Sequence, residues 1–221
     1  MQPFEPIPDA RPDDRPWPEM VWPLEPGVRL TGRFVELTPV DLARDGADLF
    51  GALDHEQVWE HTAARPHTAQ EYVDQLGRAA EVGRLPWVVR LREDTAGPGE
   101  GSVVGTSSYL DVSPADARLE IGSTAYAPAV WGGAVNPETK LLLMTHAFEA
   151  LKVGRVQLKT DVRNVRSQQA IARLGATYEG TLRRYQRRPD GSVRDTVMYS
   201  ILAAEWPDVK RHLETRLARH A

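Results

Sequence analysis

The chain runs to 221 residues, 41% of them apolar, which suffices for one sizeable core and bounds the architecture at one large domain or two small ones. Its formal net charge of −4 leaves no basic surface of the kind that nucleic acid or an anionic membrane selects. There is no cysteine, which excludes disulfides, thiol nucleophiles and thiolate-held metals, and no apolar run approaches the ~20 residues that span a bilayer, so a soluble cytoplasmic protein is the expectation.

The first 26 residues hold eight of the seventeen prolines, interleaved with Asp, Glu and Arg, and cannot form regular helix or a central strand. They read as a proline-rich arm, residues 1–27, which Trp17 and Trp22 either dock or leave as a free tail; residues 28–221 read as one domain. VRLTGRFVELTP, Val28 to Pro39, alternates in its second half and predicts a strand. A helix follows, with Leu42, Leu49, Phe50 and Leu53 spaced for one buried face. His55 to His67 is an aromatic and polar link, and Thr68 with Glu71 makes a capping-box pair ahead of a second amphipathic helix. Pro86–Leu91 predicts a strand, TAGPGEG a turn, and Ser102–Val112 with Arg118–Tyr126 two strands antiparallel about Pro114. The next helix carries Leu141, Met144, Phe148 and Leu151 on one stripe; Arg155–Asp161 returns as a strand, and Asn164 caps a helix that Gly175 ends. Ala176–Arg187 and Val193–Leu202 pair across PDGS, and Trp206–His220 is a terminal amphipathic helix. The sum is an α+β fold, a mostly antiparallel, mixed seven-stranded sheet flanked by helices, with a strand–helix–strand–helix unit at its centre.

The stretch Ala127–Leu151, APAVWGGAVNPETKLLLMTHAFEAL, carries the first chemical signal. Gly132, Gly133 and Ala134 leave backbone N–H groups uncovered, Asn136 has the character of an N-cap, and Pro137 suits the first helical position. Free N–H groups at the positive end of a helix dipole make an anion site, with phosphate its usual guest, although plain turn geometry uses the same glycines. A nucleotide of the P-loop or Rossmann kind is disfavoured, because no Walker-type lysine follows and no acidic residue is placed for a ribose.

This loop and the segment NVRSQQAIARLGATYEGTLR, Asn164 to Arg183, resemble the GNAT N-acyltransferase superfamily, and within it the RimJ/RimL type of ribosomal-protein-alanine N-acetyltransferases. The likeness covers about Leu30 to Leu202. Of the superfamily's loop Q/R-x-x-G-x-G/A, Gly132 and Ala134 match, while Ala129 stands where glutamine or arginine is usual. The more specific match is Asn164–Gly175, to N-x-x-S-x-x-x-x-x-x-L-G of that subgroup.

The resemblance implies acyl transfer from acetyl-coenzyme A (acetyl-CoA) to a primary amine, of a protein N-terminus or a small molecule, by direct attack in a ternary complex. It implies that backbone donors from Trp131, Gly132, Gly133, Ala134, Val135 and Asn136 take the pyrophosphate, and that the strand edge at Thr124, Ala125 and Tyr126 takes the pantetheine amides. Glu120 is the candidate base: on a regular strand Glu120, Gly122, Thr124 and Tyr126 share one face, and one water can relay the proton. Its alternative is an ion pair with Arg or Lys on a neighbouring strand. Ser167 and Asn164 face the cofactor, Ser167 as a donor or orienting group for the thiolate and Asn164 as cap, ligand or both. Many members carry a tyrosine near here that protonates the departing thiolate, and this helix has none.

Lys140 either reaches a phosphate or is a solvated surface lysine. By position in the family, Trp59, His61, Trp87 and Tyr109 line the acceptor pocket, with ordinary core the alternative for the aromatic residues. His55, His61 and His67 lack the spacing and carboxylates of a zinc site, so no metal is expected. A homodimer is implied by the resemblance alone. A different class stays open: a catalytically silent acyl-CoA-binding sensor or interaction module.

Overall fold

The computed structural model describes residues 5–8, 16–62, 64–92, 99–188 and 190–220. Parts of the proline arm, of the turn expected at 95–101 and of PDGS lie outside them. Strands β1 (Leu30–Thr31) and β2 (Val35–Pro39) come first, then helices α1 (Leu42–Leu53), α2 (Glu56–Trp59) and α3 (Ala69–Glu81). Next are β3 (Leu85–Leu91), β4 (Val103–Ser113), β5 (Arg118–Tyr126), α4 (Val135–Thr145), β6 (Arg155–Asp161), α5 (Val165–Ala172), β7 (Thr177–Arg187), β8 (Val193–Leu202) and α6 (Trp206–Leu217). The strands form one eight-stranded sheet in the order β1-β2-β3-β4-β5-β6-β8-β7, antiparallel throughout except at β5–β6.

The count is eight where the sequence predicts seven, because VRLTGRFVELTP breaks at Gly32 and folds back, pairing Leu30 with Leu37. The reason lies far along the chain. Glu138 of α4 is buried beneath this turn; its Oε1 accepts from the N–H of Arg33 (2.8 Å) and its Oε2 from those of Phe34 (2.6 Å) and Val35 (2.7 Å). Position 32 must be glycine for the approach, since a Cβ there would lie 2.4 Å from the Glu138 carboxyl carbon.

Helices cover both faces of the sheet. Leu49, Leu53, Tyr72 and Leu76 of α1 and α3 pack on Val88, whereas its neighbours Trp87 and Val89 belong to the larger core on the other face, with Leu143 and Met144 of α4 and Leu213 of α6. Alternation along β3 is what separates the two cores. Local capping follows the residues: Asp41 accepts from Ala43 and Arg44 ahead of α1, and Thr68 from Glu71 in α3. The helix expected to run unbroken to Leu151 leaves α geometry at His146–Ala150, a π turn. Of the arm, Trp17 donates from Nε1 to the Asp116 carbonyl (2.7 Å) and the Val21 N–H to that of Leu151 (2.8 Å), so residues 16–24 lie against the ends of β5 and α4 opposite the cleft described next.

Candidate active site

β5 and β6 pair at only three positions, Arg118–Arg155, Leu119–Val156 and Glu120–Gln157. Beyond Glu120 they part, because β6 stays with β8 as far as Asp161–Thr196 while β5 stays with β4 to Tyr126. The wedge between them opens a cleft of about 540 Å³, walled by Glu120 to Tyr126, Leu158 to Asp161, the loop at Val130 to Gly133 and the starts of α4 and α5. Over this stretch the β5 edge that faces the wedge has no strand partner.

A bulge shapes that wall. Ser123 and Thr124 together oppose Ser107, between the pairs Ser108–Gly122 and Thr106–Ala125, and Ser123 sits at φ 45°. An extra residue reverses the alternation of side chains, which corrects the expectation that Glu120, Gly122, Thr124 and Tyr126 share a face. Ile121 pairs with Tyr109, whose hydroxyl donates to the Leu143 carbonyl of α4, so the adjacent Glu120 and Gly122 face away from α4. Past the bulge, Thr124 turns toward α4 while Ala125 joins the core under α1 and α3. Because the strands part, both faces open into the one cleft.

Glu120 is 3% exposed and accepts from Lys159 Nζ (2.8 Å) and Gln157 Nε2 (3.1 Å), so it is both a cleft residue and half of an ion pair with the neighbouring strand. Lys140 is not a solvated surface lysine but lies on the cleft wall. It is 5% exposed, and its ammonium donates to Thr124 Oγ1 (2.7 Å) and Ser107 Oγ (3.1 Å), which are 2.8 Å apart. Burial pulls this lysine down to about 7, with the Glu120 carboxylate opposing.

In the loop, Trp131 donates from Nε1 to the Tyr126 carbonyl (2.8 Å), and the Arg166 guanidinium lies 3.9 Å over its ring, tying loop to α5. Asn136 is not the N-cap: Ala134 is already helical, and α4 begins at Val135 with no side-chain cap, leaving Asn136 in the first turn and on the cleft wall. Gly132 and Gly133 line the cleft, whereas Ala134 and Val135 are buried behind its wall. Asn164 caps α5, its Oδ1 accepting from the Ser167 N–H (2.9 Å), and both residues border the cleft.

The four acceptor-side residues separate. His61 lines the main cleft and, with Trp59, an adjoining one of about 460 Å³. Trp87 and Tyr109 are fully buried, edge to face at 5.6 Å, and touch neither cleft, which corrects their assignment. They sit on central strands with helices on both faces, where an aromatic ring is core. Among the described residues no three His, Asp or Glu side chains stand together as a metal site, and no helix is long and apolar enough to cross a membrane.

Lys159, Gln157, Asp161 and Arg166 were not singled out by the sequence, although three of them follow from the strand register once β6 is placed beside β5. Asp161 accepts a bidentate pair from Arg188 (2.6 and 2.8 Å), which with other contacts holds its carboxyl down to about 2. A carboxyl depressed from 3.8 stabilises the fold above that pH, a contribution lost as pH falls through about 2. Arg188→Gln is therefore expected to lower Tm at pH 6 and to flatten its decline between pH 4 and 2; an unchanged acid limb in thermal melts would refute this.

A family profile described as acetyltransferase (GNAT) domain matches residues 35–177. No curated protein matches the chain. Among solved structures, a T. thermophilus protein assigned as an acetyltransferase is 39% identical, over 89% of this chain and all of its own (100%), with a TM-score of 0.76. A GCN5-related N-acetyltransferase from Brucella melitensis is 27% identical, over 91% of this chain and 89% of its own, at TM-score 0.81. Mycobacterium smegmatis RimJ, solved in complex with CoA-disulfide, is 26% identical, over 90% and 97%, at TM-score 0.68.

Proposed function

The chain belongs to the GNAT family of acetyl-CoA-dependent N-acetyltransferases, and on that premise we propose that it moves an acetyl or other short acyl group onto a primary amine, a protein N-terminus or a small molecule, by direct attack in a ternary complex. The observation that carries the reading is the wedge between β5 and β6. An unpaired strand edge lies beside a loop of free N–H groups at a helix start, which suits a ligand with a chain of amides ending in phosphates. The residues fit that group: Thr124 to Tyr126 supply the edge, Gly132, Gly133 and Asn136 on the cleft wall offer backbone donors while the Trp131 N–H is taken by the Pro128 carbonyl, and Lys140 and Ser167 border the path between. The acceptor enters from the side of His61 and Trp59, where Glu120 faces.

When bound, acetyl-CoA supplies the activated acyl carbon, and this chain supplies position and proton handling. Glu120, directly or through one water, takes the proton that the amine loses on attack, and Lys159 and Gln157 hold its carboxylate in place. Affinity to the RimJ/RimL type rests on Asn164–Gly175 and on the likeness to RimJ; a homodimer and a cytoplasmic site belong to the same reading.

Thermal-shift titration with acetyl-, succinyl- and longer acyl-CoA, then thiol release against amines and N-terminal peptides, tests it. Stabilisation and turnover are expected, and Glu120→Gln should bind normally while kcat falls about a hundredfold. Absence of any coenzyme A stabilisation would sink the reading. Binding without transfer to any amine would favour an acyl-CoA sensor instead.

A further inference from the structure

We propose that the Thr124 hydroxyl, positioned and recharged by Lys140, protonates the coenzyme A sulfur as it leaves; the proposal rests on the transfer reaction above. The need comes from the site itself. Of the residues lining the cleft, only Tyr126 is a tyrosine, and its hydroxyl is enclosed beside Thr139 with no exposed surface for a sulfur to reach.

The geometry answers the need. Lys140 is a buried cation whose hydrogen bonds go to two neutral hydroxyls rather than to a carboxylate, an expensive arrangement for a purely structural role. Thr124 Oγ1 accepts from Lys140, and with Ser107 donating to it as well its own hydrogen is left only the distant Gly122 carbonyl at 3.5 Å, from which it can turn to a sulfur in the cleft. Ser107, fully buried, touches both partners and fixes the pair, the arrangement in which one group is activated by a second that a third orients. The bulge at Ser123 is what aims Thr124 this way, and it places the two proton-handling groups on opposite faces of β5: Glu120 toward the acceptor side, Thr124 toward α4, which carries the phosphate loop. An amine arriving at one face and a thiolate departing at the other meet a base and an acid respectively.

The step balances. The amine nitrogen bonds to the acyl carbon, the C–S bond breaks, and its electron pair goes to sulfur. Thr124 gives its O–H proton to sulfur as a Lys140 N–H proton moves to Thr124 Oγ1. Solvent reprotonates Lys140, and the proton lost by the amine leaves through Glu120. The position of Lys140 near 7 makes the ammonium a competent donor at neutral pH, and activity falls as pH rises through that value. Of the charged groups Glu120 acts on Lys140 and is itself paired with Lys159, while Tyr109 and His146 bond to each other next to α4 and Tyr126 lies on β5 two residues past Thr124. Burial drives Tyr109 and Tyr126 up and His146 down, away from this limb.

The test compares acetyl-CoA with the acetyl ester of an acidic thiophenol, whose thiolate leaves without a proton. Lys140→Met and Thr124→Val are expected to lower kcat with acetyl-CoA about a hundredfold and with the aryl thioester less than about fivefold. Thr124→Ser should retain activity, which separates loss of the hydroxyl from loss of the fold. The basic limb of the kcat profile should vanish in Lys140→Met and persist in Lys210→Met, whose lysine pairs with Glu149 away from the cleft. Independently of turnover, calorimetry of coenzyme A binding at pH 7.5 in buffers of different ionisation enthalpy should show proton uptake in the wild type and none in Lys140→Met. Equal losses with both thioesters, or a basic limb and proton uptake unchanged in Lys140→Met, would overturn the proposal while leaving acetyl transfer standing; no thiol release by the wild type with any amine would overturn both.

Discussion

Gly132→Glu is expected to raise the Kd for acetyl-CoA at least about a hundredfold, or about 2.8 kcal/mol at 1.4 kcal/mol per decade. Gly132 sits at φ 77°, where a side chain costs about 1–2 kcal/mol of backbone strain. A Cβ there meets nothing within 4 Å, so the fold has room and the penalty falls on the loop conformation and on the ligand. The new carboxylate would stand among N–H donors meant for phosphate and repel it. Gly132→Asn, which tolerates the left-handed region, should bind within about tenfold of the wild type. Titration calorimetry decides: unchanged binding in Gly132→Glu would mean that the phosphates lie elsewhere.

Glu138→Ala is expected to destabilise the fold by about 3–5 kcal/mol, because two buried backbone donors and a part-buried third lose a charged acceptor at once. For a chain of this size that is about 10 °C in Tm. Glu138→Gln should lie between, since an amide keeps one acceptor oxygen but turns a donor toward a donor. The same carboxylate ties the β1–β2 turn to the helix that carries the phosphate loop, so acyl-CoA affinity should fall in parallel. Urea unfolding that leaves the Glu138→Ala midpoint within error of the wild type would refute the assignment.

Much of this was legible in the residues. Alternation and 3.6-residue spacing placed every long element, and Asn164 and Thr68 capped where their short polar side chains suggested. What escaped depends on contacts distant in sequence. The break at Gly32 is decided by Glu138, 106 residues on, and nothing within VRLTGRFVELTP announces it. The bulge at Ser123 is one residue of mismatch between two strands, and it carried Thr124 and Tyr126 to the face opposite Glu120. Lys140 looked like a surface residue because lysine usually is one; only the α4–β5 packing shows it enclosed. Trp87 and Tyr109 were placed in a pocket by family position, whereas their place on central strands under helices on both faces makes them core.

The narrow β5–β6 junction has a mechanical consequence. β1 to β5 form one plate and β6, β8 and β7 another, and three residue pairs are all the sheet hydrogen bonding that joins them. What holds the seam beyond them is packing, since one apolar cluster runs from Leu119 and Ile121 across Val156 and Leu158 to α4 and α6. The width of the wedge is therefore set by how α4 and α6 pack across the seam as well as by the side chains that line the gap.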